Sequence, residues 1–474
     1  MGCDHFRVPV ERLSPADAAW LRLDSPENPM VVTAVLWLGG PVDRDGLRAL
    51  LDQRLVAAHP RFRSVVRPRR VTLLPPLWVP DPAFDLDGHL TVVNLDGGGD
   101  EALEELVGGL LRRQLDPFTA APWQLVIVNG YRPAPGSAPR SVLVGRMHHA
   151  LADGSALVRL LLDLTDASPD TASGGDPASG GPAARDPGAV DPAPKEPSAN
   201  ARARTALLAA RLTLAVPVTA VRLLLMPPEP RTSLRGRLGL RKDAAWTGPR
   251  SLADVKGAAA AHGVTVNDVL LQAVAGGFAR YLARHGTRPL PARLRVFVPV
   301  DLGAGSPRLV DRVGNRFGLL PLRLPVAEPD PARRVRQIAA GTRAAKGSLV
   351  PAATFVLIGV LGVLPAVLRR LVARLLGARA TAVVTNVPGP RQPLTLAGVP
   401  VDGVAFWVPQ TAAVGVGVSL FSYAGTVRIG VAVDAGLVPD AQQLADALDD
   451  ALDELLRDTR DTPSPGNSAE GPRV

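Results

Sequence analysis

The chain has 474 residues, 46% of them hydrophobic and 20% charged, with a formal net charge of +9. That length exceeds what a single core usually organises, so two domains are expected, and the apolar fraction is ample to bury both. The single cysteine, Cys3, excludes an internal disulfide framework and a cysteine-rich metal centre. Only four of the 53 cationic side chains are lysines, and no basic block interleaves with aromatics. The charge therefore does not read as a nucleic-acid footprint; it suits anionic lipid headgroups or coenzyme phosphates. The opening MGCDHFRVPVERLSP has no apolar signal core, and Phe6 stands where a myristoylation signal has Ser or Thr. A cytoplasmic location is expected.

In chain order, Ser14, Pro15 and Asp17 spell a helix start whose body is 18–23. Met30 to Leu38 is apolar and β-branched, hence a strand, and Asp43 to Ala58 has helical spacing at Leu47, Leu50, Leu51 and Leu55. Extended runs at 62–66, 84–93 and 123–129, with an amphipathic helix at 101–115, make residues 1–167 an alternating α/β domain. Residues 168–200 hold seven prolines, five glycines and no Leu, Ile or Phe. Such a segment cannot bury enough to offset its ordering entropy and reads as a disordered linker.

A second domain is expected over 201–461. It opens with an apolar, arginine-bearing helix at 205–226 that Pro217 should kink, lying against the body or a membrane surface. Helices follow at 251–261 and 266–284, the second capped by Thr265 or Asn267, then strands at 294–299 and 316–324 and a helix at 331–345. Residues 349–368 carry no charge, a length that admits a membrane span. Two prolines, two glycines and basic flanks on both sides favour a buried or interfacial helix instead. Strands at 380–385, 404–408, 411–422 and 426–434 precede a final helix at 439–456 and a disordered tail, 462–474.

The chemical concentration lies at MHHALADG, where an apolar strand, 142–144, meets a helical pattern, 156–164. His148 and His149 are adjacent, whereas the other five histidines are scattered singly. Imidazole is the side chain best matched to proton transfer near neutral pH. Asp153 and Gly154 also suit a helix cap and turn, and on these seven residues a proton-transfer site and a capped polar loop are equally good readings. No Gly-x-Ser-x-Gly elbow is present and the lone cysteine is terminal, so an acyl-enzyme is not expected.

Several blocks in order resemble the bacterial wax ester synthase/diacylglycerol acyltransferase family. They are LSPADAAWLRLDSPENPM at 13–30, MHHALADG, NDVLLQAVAGGFARYL at 267–282, GNRFGLLPLRLP at 314–325, TNVPGP at 385–390 and FSYAGTVRIGVAVDAGLVPD at 421–440. The family's Pro-Leu-Trp block falls at Ala121-Pro122-Trp123, and Val300 is followed by Asp301-Leu302 where relatives carry Ser and then Arg.

The resemblance implies an α/β fold of two chloramphenicol-acetyltransferase-like domains, with mixed sheets flanked by helices and a reaction tunnel between them. It implies transfer of a long acyl chain from acyl-CoA, a substrate rather than a cofactor, to diacylglycerol or a fatty alcohol. It makes His149 the general base, with His148 supporting it, Asp153 structural-catalytic and Gly154 setting loop geometry. Asn267 and Asp268 become site-supporting residues, and no metal or cofactor is implied. A glycolipid or secondary-metabolite acceptor, or a non-catalytic lipid-binding role, are the alternative readings. The apolar helices and arginines suggest peripheral contact with the cytoplasmic face of a membrane or a lipid droplet.

Overall fold

The computed structural model describes residues 10–70, 74–151, 154–167, 199–302, 315–410 and 414–461. Local chemistry sets many of the boundaries. The Ser14 hydroxyl accepts from the Asp17 N–H at 3.0 Å, and Pro15 opens the helix Pro15–Leu23. Thr265 and Asp268 form a reciprocal capping box at the start of Val266–Arg284. A Cβ on Gly277 would come within 2.7 Å of the Leu448 backbone. That bare position lets this buried helix close on Ala441–Asp461.

Two seven-stranded mixed sheets carry the molecule. The first runs Leu90–Asn94, Trp123–Tyr131, Arg140–His148, Val31–Leu38, Val399–Trp407, Leu394–Leu396, Asp166–Ala167. The second runs Arg250–Ser251, Thr426–Asp434, Val416–Tyr423, Ala382–Pro388, Leu294–Asp301, Phe317–Leu324, with Lys242–Trp246 also on Thr426–Asp434. Pleat alternation gives the first sheet two buried faces. Val35, Trp37, Val142 and Val144 pack with the helix Asp100–Leu111, while Ala34, Leu143 and Ile127 share a core with Leu160 and Leu161 of the helix Gly154–Leu164. A small sheet, Glu11–Arg12, Leu77–Pro80 and Ser64–Arg67, closes one side. Its middle strand and Lys242–Trp246 are too short and irregular in hydropathy to announce themselves in the sequence.

The sequence division at 167 and 201 does not divide the sheets. Val399–Trp407 belongs to the C-terminal half yet pairs antiparallel with Val31–Leu38, Val401 facing Leu38 and Trp407 facing Thr33. The exchange satisfies an edge that Val31–Leu38 would otherwise leave open. It also lets Phe297, Val383 and Phe421 share one core with the N-terminal half. Ala199 and Asn200, read as linker, open the helix Ala199–Leu225; residues 168–198 and the tail 462–474 lie outside the described residues.

The uncharged stretch 349–368 is two helices rather than one, Val350–Leu361 and Ala366–Gly377. Pro365, which has no N–H to donate, caps the second helix and marks the break. Gly362 lets the first approach the Pro15–Leu23 helix, since a Cβ there would fall 2.0 Å from the Pro15 carbonyl oxygen. Among the described residues no single helix is long and apolar enough to cross a membrane. Only the pair 331–345 and 350–361, bent by 68°, reaches that length and composition together.

Candidate active site

The strand Arg140–His148 lies antiparallel between Val31–Leu38 and Trp123–Tyr131, and it delivers the histidine pair to the end of the sheet. Both neighbours grip the turn. The His148 N–H donates to the Pro122 carbonyl at 2.9 Å, and the His149 N–H donates to the Met30 carbonyl at 2.7 Å. Met30 is itself held through its N–H by the Asp24 carboxylate, 2.6 Å away. The Ala121-Pro122-Trp123 block thus anchors the pair through a backbone carbonyl, which tolerates changed side chains. Its Trp123 ring stacks on His89 at 4.6 Å and donates to the Phe62 carbonyl at 2.7 Å.

His148 is fully buried, and its Nδ1 accepts from the Ala150 N–H at 3.0 Å. The neutral ring therefore carries its proton on Nε2. Burial first, and the neighbouring His149 second, push its pKa down to about 3. This imidazole is committed to the turn and stays uncharged.

His149 is held differently. Its ring stacks on Trp20 with centroids 4.6 Å apart and planes 13° from parallel, and Phe317 approaches at 5.6 Å from the second sheet. Its carbonyl accepts from Asn315 Nδ2 at 2.7 Å. The same Nδ2 and the Asn315 N–H donate to Asp17 Oδ1, at 2.8 and 3.0 Å. Asp17 is buried beside Arg61, 3.7 Å away. Burial raises its pKa, while Arg61 and the Asn315 bonds oppose the rise. Asp17, Trp20, Asn315 and Phe317 are neighbours of His149 that the sequence reading did not single out as site residues. Their sequence signals were the two family-like blocks that contain them, 13–30 for Asp17 and Trp20 and 314–325 for Asn315 and Phe317.

A cavity of about 230 Å³ opens between the two sheets at His149. Trp20, His149 and Val158 line it from the N-terminal half; Phe317, Thr385 and Asn386 are among those facing them from the other. Asp301, at the position where the family motif changes, stands on its wall. Asn267 does not reach this cavity. Its Oδ1 accepts from Asn386 Nδ2 at 3.0 Å, and it lines a neighbouring space of about 350 Å³ across a wall of Pro299, Asn386 and Pro388. Thr265, not Asn267, caps the helix. Asp268 faces inward, accepting from the Thr265 N–H at 2.9 Å and the Thr342 hydroxyl at 2.6 Å. Gly154 is the first residue of its helix, and Asp153 lies outside the described residues. Among the described residues no cluster of His, Cys, Asp and Glu could hold a metal ion.

The depressed pKa of His148 has a testable consequence. An unfolded histidine binds a proton below about pH 6.5, and the folded one does not until about pH 3. Its contribution is thus complete above pH 6.5 and is lost as pH falls toward 3. Urea unfolding at pH 7 and pH 5 should cost the wild type about 2 kcal/mol more than His148→Gln. Equal losses would contradict a neutral, buried His148.

Residues 13–270 match the wax ester synthase/diacylglycerol acyltransferase catalytic domain, and residues 313–456 match the WS/DGAT C-terminal domain. A Mycobacterium tuberculosis protein named "Probable diacyglycerol O-acyltransferase tgs1" is 29% identical, covering 94% of this chain and 96% of its own. A second candidate diacyglycerol O-acyltransferase of that species, Rv1760, is 30% identical over 97% of this chain and 92% of its own. In fold, the wax ester synthase/diacylglycerol acyltransferase from Marinobacter aquaeolei VT8 superposes with a TM-score of 0.66 at 22% identity, over 95% of this chain and all of that one. The first condensation domain of the calcium-dependent antibiotic synthetase gives 0.59 at 17% identity, over 96% and 97% of the two chains. The α/β architecture of two mixed sheets is therefore the one these acyltransferases and condensation domains share. The chain belongs to the wax ester synthase/diacylglycerol acyltransferase family.

Proposed function

We propose that this protein transfers a long-chain acyl group from acyl-CoA to the hydroxyl of diacylglycerol, and also to fatty alcohols. The observation that carries the reading is the His149 ring, stacked on Trp20 in a cavity walled by both halves of the chain. Thioester and alcohol can meet there away from bulk water, so proximity and the exclusion of hydrolysis both contribute.

In this reading neutral His149 takes the proton of the acceptor hydroxyl as its oxygen bonds to the thioester carbonyl carbon. The tetrahedral intermediate collapses with cleavage of the C–S bond, and the imidazolium returns its proton to the leaving sulfur. The products are ester and CoASH, with no covalent enzyme intermediate. The Trp20 face stabilises the charge that the ring gains on the way. His148 and the Asn315–Asp17 pair are positioning groups, which hold the turn from behind. Asn267 acts at one remove, through Asn386. Asp153 and Gly154 are assigned to the scaffold of the same loop, and Asp268 to the base of its own helix.

The surface supports peripheral attachment to the cytoplasmic face of a membrane or to a lipid droplet. Leu214, Val218 and Leu225 on one helix, with Val367 and Leu371 on a neighbouring one, are more than half exposed. Arg379, just past the end of the second helix, donates to the Leu224 carbonyl of the first. Exposed Arg211, Arg222, Arg370 and Arg374 flank these side chains. No Asp or Glu occurs from 197 to 228 or from 331 to 401. An apolar face flanked by arginines, in stretches of sequence without an acidic residue, suits an anionic lipid surface.

The decisive assay follows CoA release from palmitoyl-CoA with diacylglycerol, with hexadecanol and without acceptor. Release should require an acceptor and fall roughly 10²- to 10⁴-fold in His149→Ala. Equal release by the variant would remove His149 as base, and transfer to neither acceptor would favour a lipid-binding role. On the surface, co-sedimentation with phosphatidylglycerol vesicles at low salt should be lost in Leu214→Glu/Leu371→Glu. Retention by that variant would move the contact elsewhere.

A further inference from the structure

A groove of about 720 Å³ runs between the helices Ala199–Leu225 and Pro331–Lys346. Its floor is Phe317–Leu324, the edge strand of the second sheet. We propose that this groove binds the phosphomonoester headgroup of a membrane lipid, the phosphorylated counterpart of the diacylglycerol acceptor. The inference rests on reading the neighbouring surface as lipid-facing, and three observations carry it.

The first is charge. Arg222, Arg293, Arg295 and Arg323 line the groove, and its described lining holds no Asp or Glu. Arg295 is buried and paired with Glu229 at 3.2 Å. The other three are exposed and form no ion pair among the described residues. A phosphodiester brings a single negative charge to such a site. A phosphomonoester brings about −1.5 to −2 near neutral pH, with three acceptor oxygens. Three guanidinium forks converging on one groove suit the second.

The second is a like-charge pair. Arg295 and Arg323 stand directly opposite on adjacent antiparallel strands. Cations so placed repel, and the arrangement costs stability. Burial lowers the Arg295 pKa, Glu229 opposes the fall, and Arg323 and Arg379 add to it. Glu229 answers one of the two facing charges, whereas an anion in the groove answers both.

The third is position. At 100° per residue, Val218, Val221 and Leu225 form the exposed apolar arc of their helix, while Thr219, Leu223 and Met226 line the groove. Arg222 falls between these two arcs, where a headgroup at a membrane surface meets the protein. On the facing helix Ala340, Gly341 and Ala344 keep the wall low, with Leu320 and Leu322 below. Small and apolar groups there suit a glycerol backbone and its first methylenes. The groove shares no lining residue with the His149 cavity, so a bound headgroup does not displace the reacting thioester.

The test is calorimetry with dihexanoyl phosphatidate and dihexanoyl phosphatidylglycerol, both dissolved as monomers. The proteins are wild type, Arg323→Gln, Ala344→Leu and Leu214→Glu/Leu371→Glu. Wild type should bind the phosphatidate about tenfold or more tightly than the phosphatidylglycerol. Arg323→Gln should lose that affinity about tenfold while holding or raising the melting temperature, since it relieves the facing pair. Ala344→Leu, which fills the groove without changing charge, should lose it as well. Leu214→Glu/Leu371→Glu should keep it even where vesicle attachment fails, so failure of the groove and failure of the surface are separate results. No turnover enters the readout. Equal affinity for the two lipids, wild-type affinity in Arg323→Gln or Ala344→Leu, or loss in Leu214→Glu/Leu371→Glu would overturn the proposal. So would displacement by glycerol 3-phosphate, the mark of a free-phosphate site, or by adenosine 3′,5′-bisphosphate, the mark of a site for the donor's phosphates.

Discussion

The Asn315 amide donates to Asp17 on one side and to the His149 carbonyl on the other, with all three residues buried. Asp17 belongs to the first helix of the chain and His149 to the turn after a central strand. Asn315 comes from the segment that leads into the second sheet. One planar group therefore fixes the three pieces of backbone whose relative position decides where the imidazole stands. Removing such a bridge leaves a buried carboxylate and a buried carbonyl each short of a donor, which makes the arrangement all-or-none. Trp20, three residues after Asp17 on the same helix, lies flat against the His149 ring.

The same logic extends to the seam as a whole. The exchange of Val399–Trp407 into the first sheet means that the halves cannot separate without breaking a strand pair of a central sheet. A cleft built on that seam keeps its walls in register. The two histidines differ in their surroundings. His148 is sealed and serves as a hydrogen-bond acceptor for the turn, whereas His149 faces the cleft.

Much of this was legible in the sequence. Val266–Arg284 and Thr426–Asp434 fell where periodicity put them, because cap and turn signals bracket strong apolar patterns. The family blocks located the histidine pair and the second half in order. What periodicity cannot carry is partnership at long range. Nothing in the 399–407 stretch says that it joins a sheet begun at residue 31, since any apolar strand could. The Asn315 bridge spans 298 residues to Asp17 and 166 to His149, and the block at 314–325 that holds Asn315 reads as a family signature and a strand without naming those partners. The break at 362–365 was signalled by Gly362 and Pro365, but a run of twenty uncharged residues masks it, and the close approach of Gly362 to Pro15–Leu23 shows only in the packing.

The central claim is that this seam aims His149, and it is tested most directly by the single-turnover rate of Asn315→Ala on saturating acyl-CoA and acceptor. The bridge predicts a rate lower by about tenfold or more, with acyl-CoA affinity within about threefold of wild type and partial recovery in Asn315→Gln. A rate equal to wild type in the folded variant would contradict it.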